Sequence, residues 1–436
     1  MKPSLVERAL IIILLVIAGG IVFHAPLTVW LGTMWPAYDQ IIKAWKELLM
    51  GLALVLLIVV AIRRKMVGTF FDDRIIQLSL VYAGLHFVMI LLLHNGLQPV
   101  GAGLLIDLRF VLYFVLVYCA VKLVPQSRRK FIMVIAGGAV VVLSFALLQL
   151  FVLPRDILAH IGYSKATIAP YLTVDQNPAY IRINSTLRGP NPLGAYIVIV
   201  LSAVLAAAIK YGRKLERRKI YLLGGLAAVS GIVLGATYSR SSLIGLIVAI
   251  VVTIGAVASV KARRQLGIIV AVGILVVSAV LVIGRTDPVI SNVIWHDNPT
   301  GGSSVDSNQG HAESLVDGTN RMLRQPFGSG VGSTGSASLD SQSPLIIENQ
   351  YLFVAHEVGW LGLVLFVWLF VEVMRRLWQR RQSALALGVF ASGCGLAVIG
   401  LLLPVWTDDT VSIIWWGLAA VAIASGKGGK YARKNN

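Results

Sequence analysis

The sequence predicts an all-α polytopic membrane protein of about twelve transmembrane helices, folded as one bundle over residues 1–436. Three observations predict it. Of 436 residues, 57% are hydrophobic and only 13% charged. Apolar stretches of about 20 residues recur along the chain, long enough to cross a bilayer as helices. Basic clusters follow every second one of these stretches and so all fall on one side, as the positive-inside rule requires.

The spans are expected near 8–24, 45–62, 75–94, 107–124, 131–153, 190–209, 220–236, 242–259, 266–284, 350–373, 385–403 and 410–424. The first follows Lys2 and Arg8 and lacks a small-residue cleavage site, so it reads as a span and not a removed signal peptide. Arg63-Arg64-Lys65, Arg128-Arg129-Lys130, the run Lys210 to Lys219, Lys261 to Arg264, Arg375 to Arg381 and the tail Lys427 to Lys434 share a side with the N-terminus. Both termini are therefore expected in the cytoplasm. The formal charge of +18 is a topology signal and an attraction to anionic lipid, which argues against nucleic-acid binding. The two cysteines, Cys119 and Cys394, sit in apolar runs and read as packing residues. No internal repeat of the kind found in transporters with symmetric halves is evident.

Two long loops fall outside, 154–189 and 285–347. The second is rich in Gly, Ser, Asp and Asn and carries Trp295, His296, His311, Arg321 and Arg324. His311 to Arg324 reads as an amphipathic helix with Leu315, Met322 and Leu323 available to pack. Gly328, Gly330, Gly332 and Gly335 then alternate with Ser and Thr, either as a nest for phosphate or sugar hydroxyls or as a flexible loop.

Charges near membrane depth are costly, and the candidates cluster at the outer boundary. Arg240 lies in a short turn, TYSRSS, where it is either a snorkelling interfacial arginine or a planar fork for a phosphate. Arg182 and Arg188 precede a span that Gly189, Pro190 and Pro192 set apart and that Asn191 can cap. Arg188 thus sits at a helix N-terminus, which favours an anion. Glu348 and Asn349 open the tenth span. Glu348 is either a carboxylate placed by the helix dipole or a general base. His356 and Glu357 follow inside the span, His356 as a bonded helix–helix histidine and Glu357 facing an arginine or in a structural ion pair. Lys46 with Glu47, and Asp107 with Arg109, read as opposite-charge pairs at the starts of the second and fourth spans. Asp408 and Asp409 are adjacent carboxylates without a third metal ligand in sequence, so no metal is assigned.

In order and spacing these segments resemble the bacterial O-antigen ligase and O-antigen polymerase superfamily. They are the Lys46-Glu47 pair, Arg188 to Pro192 (RGPNP), Thr237 to Arg240 (TYSR), the long loop, Glu348-Asn349 with Leu352, and Glu357, Gly359 and Gly362 as E-x-G-x-x-G. The resemblance implies a GT-C-like glycosyltransferase of the bacterial inner membrane, working on its outer face. Its donor would be a glycan on polyprenyl pyrophosphate and its acceptor a glycan or lipid-linked molecule. The chemistry would be metal-independent and inverting, with no cofactor. Carried over by position, Arg188 and Arg240 would bind pyrophosphate, with Arg182 beside them. Glu348 and His311 would serve catalysis, and Asn349, Glu357, Arg321, Lys46 and Arg109 would support the site. The ligases carry histidine where this chain has Glu348. That favours polymerisation over ligation, His311 within Gly310 to Ser314 being the substitute imidazole. A protein O-oligosaccharyltransferase and a lipid-linked glycan flippase are the alternatives.

Overall fold

The computed structural model describes residues 3–93, 95–295, 297, 307–340 and 344–424. His296 and the basic tail from Lys427 lie outside them. The chain runs through α1 (Leu5–Gly20), α2 (His24–Met34), α3 (Asp39–Lys43), α4 (Trp45–Arg63), α5 (Val67–Phe71), α6 (Arg74–Leu92), α7 (Leu97–Leu123) and α8 (Arg128–Phe151). A hairpin of β1 (Leu172–Val174) and β2 (Asn177–Arg182) follows. Then come α9 (Pro190–Tyr211), α10 (Arg217–Ala236), α11 (Arg240–Val257), α12 (Val260–Ile283), α13 (Ser307–Arg324), α14 (Gln350–Gln379), α15 (Ala384–Ile399) and α16 (Asp409–Ala424).

Among the described residues, ten helical segments are long and apolar enough to cross a membrane. The shorter apolar helices α15 and α16 coincide with the last two expected spans. The chain is an all-α polytopic membrane protein. Local sequence starts the helices where they start. Ser4 and Glu7 form a capping box on α1, Asp73 caps α6, and Pro190 occupies the first turn of α9, where a missing N–H costs nothing.

The fourth expected span starts ten residues early. α7 begins at Leu97, directly after Gly96, so Asp107 and Arg109 lie well inside it and both are buried. They do not pair with one another. Asp107 faces His86 and Glu357, whereas Arg109 faces Asp409 and Glu47.

α16 is the axis of the molecule, with every residue from Thr410 to Ile423 buried. Trp415 and Trp416 stack with Trp406, Phe370, Phe110 and Phe114 around it. Small residues let α9, α11 and α15 approach closely. A side chain at Gly245 or Gly395 would run into the other helix's backbone, and one at Gly388 would meet the Cα of Ala203 at 2.9 Å. α12, by contrast, buries nothing.

Candidate functional site

The two long loops meet over the N-terminal ends of α9 and α11. The Asn177 amide donates to the Asn292 side chain at 3.3 Å, and the Tyr180 hydroxyl donates to the Pro288 carbonyl at 3.3 Å. β2 ends on Arg182, whose Nε donates to the Thr237 carbonyl at 2.8 Å and whose NH2 donates to Asn191 Oδ1 at 2.6 Å. Asn191 is therefore not the cap of α9. It is the second residue of that helix, with its oxygen turned to a guanidinium, and the N-cap position is Gly189. Arg240 opens α11 behind a left-handed Tyr238, and its NH1 donates to the Ile294 carbonyl at 2.7 Å.

Arg182 and Arg240 are close enough to act on one another's charge. Burial, and then the Arg240 charge, push the Arg182 pKa down to about 10. Two guanidiniums held this near at a half-buried site are relieved by an anion between them. Arg188 stands one residue before the N-cap of α9. It is exposed and makes no hydrogen bond among the described residues. Its field reaches Asp408, whose carboxyl burial raises above the usual range.

Glu348 and His311 are brought together. His311 Nδ1 is paired with Glu348 Oε2, and three residues along α13 the Ser314 hydroxyl accepts the Glu348 N–H at 3.1 Å. One face of α13 thus holds Glu348 by side chain and backbone at once. The hydrogen bond to Glu348 raises the His311 pKa. Glu348 itself is not in the first turn of α14. Asn349 is the N-cap, accepting from the N–H groups of Tyr351 and Leu352 and donating to the Leu401 carbonyl at 2.8 Å. Glu348 precedes it, so dipole stabilisation alone does not account for the residue.

The Gly-rich stretch is a strap tied to α14 and lying against α7. α14 is interrupted at Val358 and Gly359, where Gly359 takes φ 71°. The break frees backbone groups that the strap takes up. Ser329 N–H donates to the His356 carbonyl at 2.6 Å, Gly330 N–H to the Glu357 carbonyl at 3.1 Å, and Trp360 N–H to the Pro326 carbonyl at 2.9 Å. Gly332 has φ 80° and lies against the backbone of Pro99 and Val100, leaving no room for a side chain.

Among the described residues Glu357 faces no arginine. Its carboxyl takes the backbone N–H groups of Thr334 and Gly332 and contacts Asp107. Glu357 Oε2 and Asp107 Oδ2 have no hydrogen-bond donor among the described residues. His356 is buried with its Nδ1 unpartnered among the described residues, so it is not a bonded helix–helix histidine. The E-x-G-x-x-G segment is a clamp for the strap.

The remaining candidates separate. Arg321 is half-buried and pairs with Asp317 at 2.7 Å, one turn earlier on α13. Leu315 and Leu323 point outward, and α13 instead packs through Gly318 against Ile347 and Leu352. Lys46 does pair with Glu47, at 3.1 Å, within a larger buried cluster in which Asp409 meets Lys46, Arg109 and His24. The Asp409 carboxylate is thus taken by cations. Among the described residues no three His, Cys, Asp or Glu side chains converge as metal ligands. Sequence reasoning missed His24, Ser314 and His86. Of these, only Ser314 carried a signal, as the last residue of the segment that includes His311.

No curated protein matches the chain. Residues 225–367 match the family model described as O-antigen ligase. The match takes in Arg240, α13 with His311, Glu348 and the Glu357 clamp, whereas Arg182, Arg188, Lys46 and Arg109 fall before it. Residues 225–367 thus carry the match, and with the arrangement of these residues and the membrane-spanning helices around them it supports the likeness to the O-antigen ligase and polymerase superfamily.

Proposed function

We propose that this protein is an inner-membrane glycosyltransferase that takes an oligosaccharide from a polyprenyl-pyrophosphate donor on the outer face and passes it to a second glycan. The Glu348–His311 pair beside the Arg182–Arg240 pair carries the reading. The pyrophosphate is already a good leaving group, so the enzyme mainly positions two sugars and stabilises developing negative charge. Arg182, Arg188 and Arg240 hold the pyrophosphate. The acceptor hydroxyl attacks the anomeric carbon from the opposite face, the bond to the pyrophosphate oxygen breaks, and the configuration inverts. Glu348 accepts the hydroxyl proton through the oxygen not paired with His311. The protonated His311 orients that carboxylate and adds positive charge near Arg240.

Polymerisation of repeat units follows from Glu348 standing where the ligases carry histidine. Ligation to another acceptor is the second reading, favoured by the description of the matched family. The test is incubation of the purified full chain with a labelled lipid-linked repeat unit and, in separate reactions, a second repeat unit, a lipid-core acceptor or a protein acceptor. Longer lipid-linked glycan is expected. Label moving only to lipid core would replace polymerase with ligase, and label moving only to protein would make it an oligosaccharyltransferase. No transfer to any acceptor would overturn the enzyme reading.

A further inference from the structure

A groove of about 570 Å³ opens between α9, α10 and α11, at the opposite end of these helices from the arginine site. Leu201, Leu205 and Ala208 of α9, Leu223 and Ala227 of α10, and Ile250 of α11 are among the residues that line it. Ser202 is the one polar residue in the lining, and its hydroxyl is spent on the Val198 carbonyl at 2.7 Å. The groove offers no free hydrogen-bonding side chain, so its occupant is hydrocarbon.

Length and charge narrow that occupant. The α9 wall runs from Leu201 to Gly212, a rise of about 16 Å at 1.5 Å per residue. That is about half of a bilayer's hydrocarbon thickness of roughly 30 Å, the depth of one leaflet. The mouth is basic. Lys214 flanks the lining residue Leu215. Arg217 lies one turn before Ile220 and so on the groove face of α10, with Arg218 beside it. All three are exposed and have no ion pair among the described residues, because the one nearby carboxylate, Glu216, pairs with Lys219.

We infer that this groove is a binding site for an anionic phospholipid of the leaflet at the basic helix ends, with an acyl chain between α9, α10 and α11 and the headgroup on Lys214, Arg217 and Arg218. The inference does not depend on the transferase mechanism. A zwitterionic lipid would fill the same groove without using the three cations. The tail of a polyprenyl donor anchored at the far arginines would have to cross the other leaflet first.

The full-length protein in detergent is incubated with equal amounts of phosphatidylglycerol and phosphatidylcholine, passed through a sizing column, and its retained lipid measured by mass spectrometry. Phosphatidylglycerol is expected to be favoured by on the order of a hundredfold at low salt, from three basic residues near one headgroup, and less as salt rises. Alanine at Lys214, Arg217 and Arg218 together should abolish the preference while the chain still folds. Gly224→Leu should reduce retention of both lipids, since a side chain at Gly224 meets open space. Leu246→Trp on the facing wall serves the same purpose should Gly224→Leu not fold. Equal retention of the two lipids, or retention unchanged by filling the groove, would overturn the inference. Displacement of phosphatidylglycerol by polyprenyl phosphate would give the groove to the donor's tail and overturn it equally.

Discussion

The two ends of the bundle both carry buried charge, but they close it differently. At the basic end the buried carboxylates are met within the protein, while the exposed Lys214, Arg217 and Arg218 have no ion pair among the described residues. Asp73 accepts from Arg376 at 2.8 Å, Lys122 at 2.8 Å and the Tyr118 hydroxyl at 2.6 Å. Although burial works against it, those bonds hold the Asp73 carboxyl well below the usual carboxylate range. Glu372 takes Arg375 and Arg376, and Glu7 takes Arg64. At the loop end the buried Asp409 is likewise met by Lys46 and Arg109, but Arg188 has no hydrogen bond among the described residues, Arg182 and Arg240 are close enough to act on one another's charge, and the Glu348–His311 pair is partly exposed. A closed network ties helices together. An open one of the same residue types is built for something that arrives from outside.

That contrast can be broken in four ways. The largest effect is expected at Glu348. Glu348→Gln should lower turnover by about 10²–10⁴-fold, the usual worth of a positioned acid or base, with donor binding retained. Loss of donor binding instead would move Glu348 from proton transfer to substrate binding. Arg240→Lys should reduce kcat/KM by about a hundredfold, because charge stays but the two-pronged fork is lost. Wild-type activity would make Arg240 a prop for the Ile294 turn and nothing more.

Arg376→Ala is the opposite-end control. It leaves Asp73 and Glu372 short of a buried partner, and a loss of stability of about 3 kcal/mol is expected in a denaturation curve. Its kcat and KM per folded molecule should not change, and a change in either would abolish the distinction between the ends. The smallest effect is in pH. The His311 pKa is raised, so its ion pair with Glu348 contributes fully below its ordinary value of 6.5 and is lost as pH rises through the raised value. The rate should fall along the same alkaline limb, and His311→Gln should remove that limb. A rate that instead rises with pH through this range would make neutral His311 the base.

Much of the fold was legible because lipid admits few solutions, and apolar runs with basic ends declare them. The start of α7 was not. Gln98, Pro99, Gly101 and Gly103 read as loop, yet Gly103 is there because the strap at Val331 and Gly332 crosses α7 within van der Waals range. A close approach from a strap so distant in sequence leaves no local trace. For the same reason Glu357 was expected to meet an arginine and meets Asp107 and two backbone N–H groups. The Glu348–His311 pair was legible as two residues of interest, and their contact depends on how α13 lies. The Asn191 cap failed because Arg182, nine residues earlier, claims its oxygen.

The strap has a consequence for how such an enzyme can diversify. From Pro326 to Thr334 the loop is bonded to the broken helix α14 and wedged on α7, so that stretch tolerates little change. α13, just before it, rests on the core through His311, Ser314 and Gly318, and turns Leu315, Val316 and Leu323 outward. Fixed hinge and free plate are thus separate pieces of chain. A different α13 could be spliced onto the same anchors, keeping those three contacts and exchanging everything the outer face presents.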